Sequence, residues 1–511
     1  MKNRLLETLG HRVSWEAVVL VLITLGTRFY LLRVYDVELS QDGFEAVRTL
    51  TIWQAQGIGA LPRELLDRAL LHPLYMLILG MWRILVPASL DFYLAARFLS
   101  TLFACGAVVL IFYLTRAAFQ RVAAWCAALF LVFAPSFLWE SVAILSSTLF
   151  LALYLAVLLL LLRSRYRLAA VVALLSALVR YEGVVLMMLV LVMLGVRDWR
   201  ARLWRREDWL VGIGSLIAFP LVLLSVSFLA TGNPWQFIGA QSMASIWLRF
   251  LAPGDFFKRA AFFVTQYPAL LPTPIVWLGV SGIVIVLIQH RNAASGLLLL
   301  TSALYVLFFE LLVLFGYTTL ETRFLMYPGL PLLIFAGITL AFLWSLIQRF
   351  QVSRGIFYVW RFAWGVLVLT LLLASYRQGE VGLRFVYNSQ ISMRQMAEEI
   401  AQIFPRHQRV HVLAYGGTSG ALAMFARQYD IELEFTEFRF APDANPEQYI
   451  VDNHIQYVIY PVGNAFARAK YPYLARFETH TRGLVTFHPL VQFATTADNQ
   501  LYSIWAVTID Q

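Results

Sequence analysis

Ionisable side chains are scarce in this chain. Asp, Glu, Lys and Arg make up 14% of its 511 residues, against 60% hydrophobic residues, which excludes an ordinary soluble surface over most of its length. Cysteine is scarcer still: Cys105 and Cys126 both fall inside apolar runs, so neither a disulfide framework nor a zinc site is indicated. No solenoid-like repeat is visible. GxGxxG and P-loop spacings are missing, and the run Gly416-Gly417-Thr418-Ser419-Gly420 reads as a strand-to-helix turn with Ser419 as N-cap, without a nucleotide. Acidic residues are in the minority, leaving a net charge of +10. The arginines sit mainly in short loops between apolar runs, so a positive-inside bias explains the excess and nucleic acid does not. No small-residue cleavage site follows the basic start 1–12, so the first apolar run is expected to stay as a helix.

What is present is lipid-soluble. A mean hydropathy of +0.70, with 15 Trp, 23 Tyr and 38 Phe, places the chain among polytopic membrane proteins. Runs long enough to cross cover 15–32, 93–115, 122–138, 142–162, 209–230, 272–289, 295–316, 325–347 and 357–376. The stretch 168–196 is interrupted at Arg180-Tyr181-Glu182. The run 74–86 lies between Pro73 and Pro87, carries Arg83, and reaches only about 20 Å against a hydrocarbon core of about 30 Å. If it lies on the outer surface, Arg116, Arg121, Arg163, Arg165, Arg167, the basic loop 197–206, Arg291, Arg349 and Arg354 all fall inside. If it spans, the clusters at 116–121 and 163–167 move outside. The positive-inside rule therefore favours a surface helix, with Tyr75 and Trp82 at the interface. It also requires 168–196 to be two short helices meeting at the outer face. The expectation is about eleven crossings, N-terminus cytoplasmic and C-terminus external, although Arg249, Lys258 and Arg259 in the outer loop 231–271 run against the rule.

From about Ser375 the composition turns polar. Strand-like runs at 410–415, 431–435 and 457–460 alternate with helix-like runs at 419–427 and 446–454. The domains read from this are a catalytic membrane domain over 1–376, with a first external loop at 33–92, and an external α/β soluble domain over 377–511.

On that topology several ionisable residues share the outer face. Asp42, Glu45 and His72 lie in the first loop, Glu140 follows a span, and Arg180 and Glu182 sit where two short helices meet. Glu310 interrupts an apolar run, and Glu321 and Arg323 flank the next outer turn. A carboxyl within a span should face protein or a water-filled cavity. Each residue also has a plain structural explanation. Asp42 could cap a helix starting near Gly43, with Glu45 as its capping-box partner. His72 could be an interfacial histidine, Arg180 and Glu182 could neutralise each other, Arg323 could snorkel, and Glu140 could be a solvated helix end. Convergence on one face favours chemistry. Glycosyl transfer from a lipid-linked donor suits the set: the acceptor hydroxyl needs a base, which one carboxylate supplies, and the departing phosphate needs cations at headgroup depth. One Asp with nearby Arg fits this better than the paired carboxylates of glycoside hydrolysis.

The motifs Ser40-Gln41-Asp42-Gly43-Phe44-Glu45-Ala46, His72-Pro73-Leu74-Tyr75, Ala96-Arg97-Phe98-Leu99-Ser100, Ala177-Leu178-Val179-Arg180-Tyr181-Glu182-Gly183 and Thr322-Arg323-Phe324-Leu325-Met326-Tyr327-Pro328 resemble, in order and sidedness, the GT-C membrane glycosyltransferases. The likeness is to their protein O-mannosyltransferase and aminoarabinose transferase branch, over most of 1–376. It implies Asp42 as catalytic base with Glu45 beside it, an inverting reaction and a polyprenyl-phosphate sugar donor. His72, Arg97, Glu140, Arg180, Glu182, Glu310 and Arg323 are the expected substrate-binding residues. Many relatives have adjacent Asp-Glu where Gly43 and Phe44 intervene here, which leaves the role of Glu45 and a divalent metal open. The expected partners are the lipid donor, membrane lipid, and an acceptor that is protein, lipid or glycan. The competing function is a transporter or flippase of lipid-linked sugars, which should show repeat symmetry and helices broken at midplane. A non-catalytic envelope scaffold is the third.

Overall fold

The computed structural model describes residues 14–56, 72–87, 89–202, 204–235, 261, 265–267, 270–289, 292–314, 326–349, 354–414, 419–438, 445–495 and 500–509. Arg323, Glu321, Arg291, Arg249, Lys258, Arg259 and the turn residues Gly416, Gly417 and Thr418 lie outside them. The chain divides into two compact units. One comprises 1–36 and 46–382, the other 37–45 and 383–511.

The first unit is helical. Its helices are α1 (Trp15–Val34), the continuation of α2 (Gln41–Gln56), α3 (Pro73–Leu85), α4 (Phe92–Ala118), α5 (Arg121–Phe133), α6 (Pro135–Glu140), α7 (Ser147–Leu162), α8 (Tyr166–Val179), α9 (Val184–Ala201), α10 (Arg206–Thr231), α11 (Thr273–Gln289), α12 (Ala293–Leu314), α13 (Met326–Arg349) and the start of α14 (Arg354–Ile400). Among the described residues six helices are long and apolar enough to cross a membrane: α1, α4, α10, α12, α13 and α14. Lipid tails are as apolar as Leu, so helix association relies on close packing at small residues. A side chain added at Gly282 of α11 would stand 2.0 Å from the Phe335 carbonyl of α13, and one at Gly337 of α13 2.5 Å from the Ala123 carbonyl of α5.

One run read as a continuous span, 122–138, is broken, and another, 142–162, is shortened. Helix α5 stops at Phe133 because Pro135 cannot continue it, and the short α6 ends at Glu140. The next helix starts only at Ser147, leaving 141–146 irregular and buried. Glu140 is therefore buried and not a solvated helix end. The interruption at 180–182 is a single 3-10 turn, Tyr181–Gly183, between α8 and α9. Helix α3 matches the short run 74–86, but Tyr75 is buried within the helical unit instead of lying at an interface, while the Trp82 indole donates to the Ala95 carbonyl at 2.8 Å. Helix α14 runs on to Ile400, well past the change in composition near Ser375.

The second unit holds a six-stranded sheet in the order β2-β1-β3-β6-β5-β4. Strands β1 (Arg409–Ala414), β2 (Glu432–Glu437) and β3 (Tyr457–Pro461) pair in parallel, connected by α15 (Ser419–Arg427) and α16 (Pro446–Asp452). Strands β4 (His480–Arg482), β5 (Val485–Ala494) and β6 (Leu501–Ile509) extend it as an antiparallel meander. Tyr460, Tyr471, Phe487 and Trp505 fill its core. This unit also takes in 37–45, where buried Phe44 meets the Phe425 ring of α15 edge-on at 6.3 Å.

Candidate functional site

Asp42 and Glu45 stand in the opening turns of α2, one helical turn apart and both half-buried. Asp42 is not the cap. The helix starts at Gln41, and the Ser40 hydroxyl accepts from the Gly43 amide at 3.3 Å, while its carbonyl receives the Phe44 amide. Ser40 is in turn held by Glu38, whose carboxylate accepts from the Ser40 amide at 3.0 Å. The capping role that its position alone suggested for Asp42 thus falls to Ser40. His72 occupies the N-cap position of α3, ahead of Pro73 at N1, with no side-chain cap bond.

In the helical unit the buried segment 141–146 gathers the site. Irregular backbone inside a membrane domain survives only where its polar groups find protein partners. Three arginines from three different places supply them. Arg28 of α1 donates through Nε to the Ser141 hydroxyl at 2.8 Å, and its guanidinium lies 5.3 Å from the Phe137 ring centroid. Arg97 of α4 donates to the Val142 carbonyl at 2.6 Å and to the Tyr35 carbonyl at 2.7 Å. Arg180 donates to the Ser146 hydroxyl at 3.3 Å. Thr101 adds a bond to the Ser141 carbonyl at 2.9 Å. All three arginines are buried.

Arg180 and Glu182 form a fork: Nη2 to Oε1 at 2.8 Å, with Nε within 3.3 Å of both oxygens. The turn carrying them needs glycine at 183, since a Cβ there would stand 2.3 Å from the Ala177 amide nitrogen. Aromatic rings wall this pair. Tyr305 of α12 donates to the Glu182 carbonyl at 3.2 Å, Tyr154 donates to the Tyr327 carbonyl at 3.2 Å, and the Tyr327 ring centroid is 5.9 Å from the Arg180 guanidinium. Phe309 stacks on Tyr327 and Tyr305, each at 6.2 Å. Glu310 follows on α12 with both carboxylate oxygens enclosed. Nearby Tyr267 keeps its phenolic proton well above the usual tyrosine range, chiefly through burial and secondarily through the Glu310 charge.

The opposite helix ends carry a separate set of charges. Glu16 at the start of α1 pairs with Arg121 at 3.0 Å and Arg116 at 3.3 Å. Asp208 at the start of α10 joins Arg167, at 2.7 Å, and Arg197. The sorting of polar residues to two ends of the bundle is thus built into the contacts.

Of the expected residues, Arg97, Glu140, Arg180 and Glu182 come together around 141–146, and Glu310 stands on α12 next to Phe309 in sequence. Asp42 and Glu45 belong to the second unit. Arg28, Ser141, Ser146 and Tyr305 had not been singled out. An arginine inside the first apolar run was the available signal, because a charge in a span is costly unless it has partners. Among the described residues no group of three or more His, Cys, Asp or Glu is arranged to hold a metal ion.

No protein-family model matches the sequence, and no curated protein matches it. Solved structures do. The apo oligosaccharyltransferase of Archaeoglobus fulgidus superposes with a TM-score of 0.56 at 12% identity, over 87% of this chain and 69% of that one. ArnT from Cupriavidus metallidurans superposes in its apo state with a TM-score of 0.54 at 14% identity, over 96% of this chain and 97% of that one. Bound to undecaprenyl phosphate, ArnT gives 0.52 at 14% identity, over 97% and 98%. At such identities the likeness is one of fold. The chain has the GT-C fold, a helical membrane domain followed by a sheet-bearing C-terminal domain.

Proposed function

We propose that this protein is a glycosyltransferase. It moves a sugar from a polyprenyl-phosphate carrier to an acceptor hydroxyl on the external face of the membrane. The observation that carries the reading is the likeness along nearly the whole of both chains to ArnT, a protein crystallised with undecaprenyl phosphate. The first-loop acid Asp42 supplies the base of the reaction.

In this reading the acceptor oxygen attacks the anomeric carbon from the face opposite the phosphate. The C–O bond to phosphate breaks, the polyprenyl phosphate leaves with the electron pair, and the anomeric centre inverts. Asp42 takes the proton of the acceptor hydroxyl. Ser40, not Asp42, is the helix cap, which is compatible with that role. Glu45, one turn on, orients Asp42 or the acceptor. The phosphate charge that grows on the leaving oxygen needs a cation, ideally a planar fork. Arg97 is committed to two backbone carbonyls and Arg180 to Glu182 and Ser146, so both shape the site. Arg323 is then the phosphate ligand, His72 and Glu140 line the substrate path, and the external α/β domain serves the acceptor.

The test is Asp42→Asn in the full chain, reconstituted with undecaprenyl-phosphate monosaccharides. Transfer should fall about 10²–10⁴-fold, the usual cost of a lost base, with binding of undecaprenyl phosphate unchanged. Because Ser40 is the cap, a fold defect is not expected. Turnover equal to the parent protein's would refute Asp42 as base.

A further inference from the structure

Glu16, Glu182, Asp198 and Asp208 in the helical unit each face at least one arginine. Glu310 faces none. Both of its carboxylate oxygens are enclosed by the protein, and neither has a hydrogen-bond partner among the described residues. Such a carboxyl cannot be snorkelling, since its oxygens reach neither lipid nor water. It also weakens packing, because a buried acceptor without a donor loses its hydration and gains nothing in return. A site that keeps such a group is short of a donor that a ligand would bring.

The surroundings narrow the ligand. Phe309, which precedes Glu310 on α12, packs with Tyr305 and Tyr327, and the Tyr267 phenol is close enough to feel the Glu310 charge. Apolar walls with a few fixed polar groups are the usual make-up of small-ligand sites. An isoprenoid tail carries no donors, and an ionised phosphate is an acceptor that a carboxylate repels. Two oxygens without donors call for two donors at once. A sugar ring offers adjacent hydroxyls for the carboxylate and C–H faces for the aromatic rings. We propose that Glu310 receives hydroxyl groups of the transferred sugar and thereby sets which sugar is accepted. This rests on the glycosyl-transfer reading above.

The experiment uses the full chain in lipid nanodiscs. Undecaprenyl-phosphate monosaccharides that differ by single epimers or single deoxy positions serve as donors, and undecaprenyl phosphate alone serves as the binding probe. Glu310→Leu should reduce discrimination between the best sugar and its analogues by roughly ten- to a hundred-fold, the worth of hydrogen bonds to a charged group. Affinity for undecaprenyl phosphate should not change. Glu310→Gln, which still accepts one hydroxyl and can donate to another, should keep most of the discrimination. Discrimination unaltered in Glu310→Leu would overturn the proposal. A Gln variant as impaired as the Leu variant would also overturn it, by showing that the partner is a cation. A parent protein that binds and turns over no member of the panel would sink the glycosyl-transfer reading and this proposal together, a failure visible before any variant is made.

Discussion

Arg180 and Glu182 are two positions apart, and their side chains are shut inside the helical unit. A buried ion pair adds little net stability, but removing one partner strands the other in a medium where a lone charge is costly. Arg180→Met should therefore destabilise the protein by about 3–5 kcal/mol, read as a lower unfolding midpoint in detergent. The double variant Arg180→Met with Glu182→Leu should recover most of that loss. If the single variant unfolds like its parent, the Glu182 carboxylate is reaching water and the buried-pair reading is wrong. The same residue-scale reasoning separates Asp42 from the helix cap, since the two roles fall to different side chains once Ser40 is seen bonded to the Gly43 amide.

Helices α8 and α9 are joined by a turn tight enough to bring Gly183 against the backbone of Ser176 and Ala177. Backbone cannot yield as a flexible side chain can, so Gly183→Ala must push the turn away from α8. Overpacking of this kind costs typically about 1–3 kcal/mol, and the displaced turn should also lose the bond from Arg180 to Ser146. A lowered thermal midpoint together with reduced donor turnover is expected. An unaltered midpoint would mean that the turn opens freely and does not fix the position of Arg180. The break at 134–146 works differently. Pro135 ends one helix, while the polar groups of the following segment are held by side chains from elsewhere in the bundle.

Within the helical unit, the Glu16 and Asp208 ion-pair clusters gather at one set of helix ends and the arginine-held segment, with the Arg180–Glu182 pair, at the other. We propose the orientation that the positive-inside rule favours, with Arg165 and Arg202 in the cytoplasm and Asp36 and the C-terminal domain outside. All of these positions are accessible for labelling: Asp36, Arg165, Arg202 and Phe477 are exposed. Single cysteines at 36, 165, 202 and 477, on a background lacking Cys105 and Cys126, should label from outside at 36 and 477. Those at 165 and 202 should react only after permeabilisation. External reaction at 165 would reverse the arrangement and with it the surface assignment of α3.

Local pattern was enough for much of this. Apolar run length marked the long helices, the charges at 180–182 marked the hinge, and the alternation at 410–460 marked β1, α15, β2, α16 and β3 close to their observed limits. The acids at 42 and 45 stood out because charge is rare in the chain. What the tertiary structure decided depends on partners that local pattern cannot see. Arg28 meets Ser141 across 113 positions, and Arg97 meets Tyr35 and Val142 across 62 and 45. Without those partners 141–146 reads as the start of a span; with them its polar groups are satisfied as an irregular buried segment. Tyr75 moved from interface to core, and the meander β4–β6 joined the parallel strands, for the same reason. Hydrophobicity along a chain says that a residue prefers burial. Only the folded arrangement says which polar groups are buried with it and what then satisfies them.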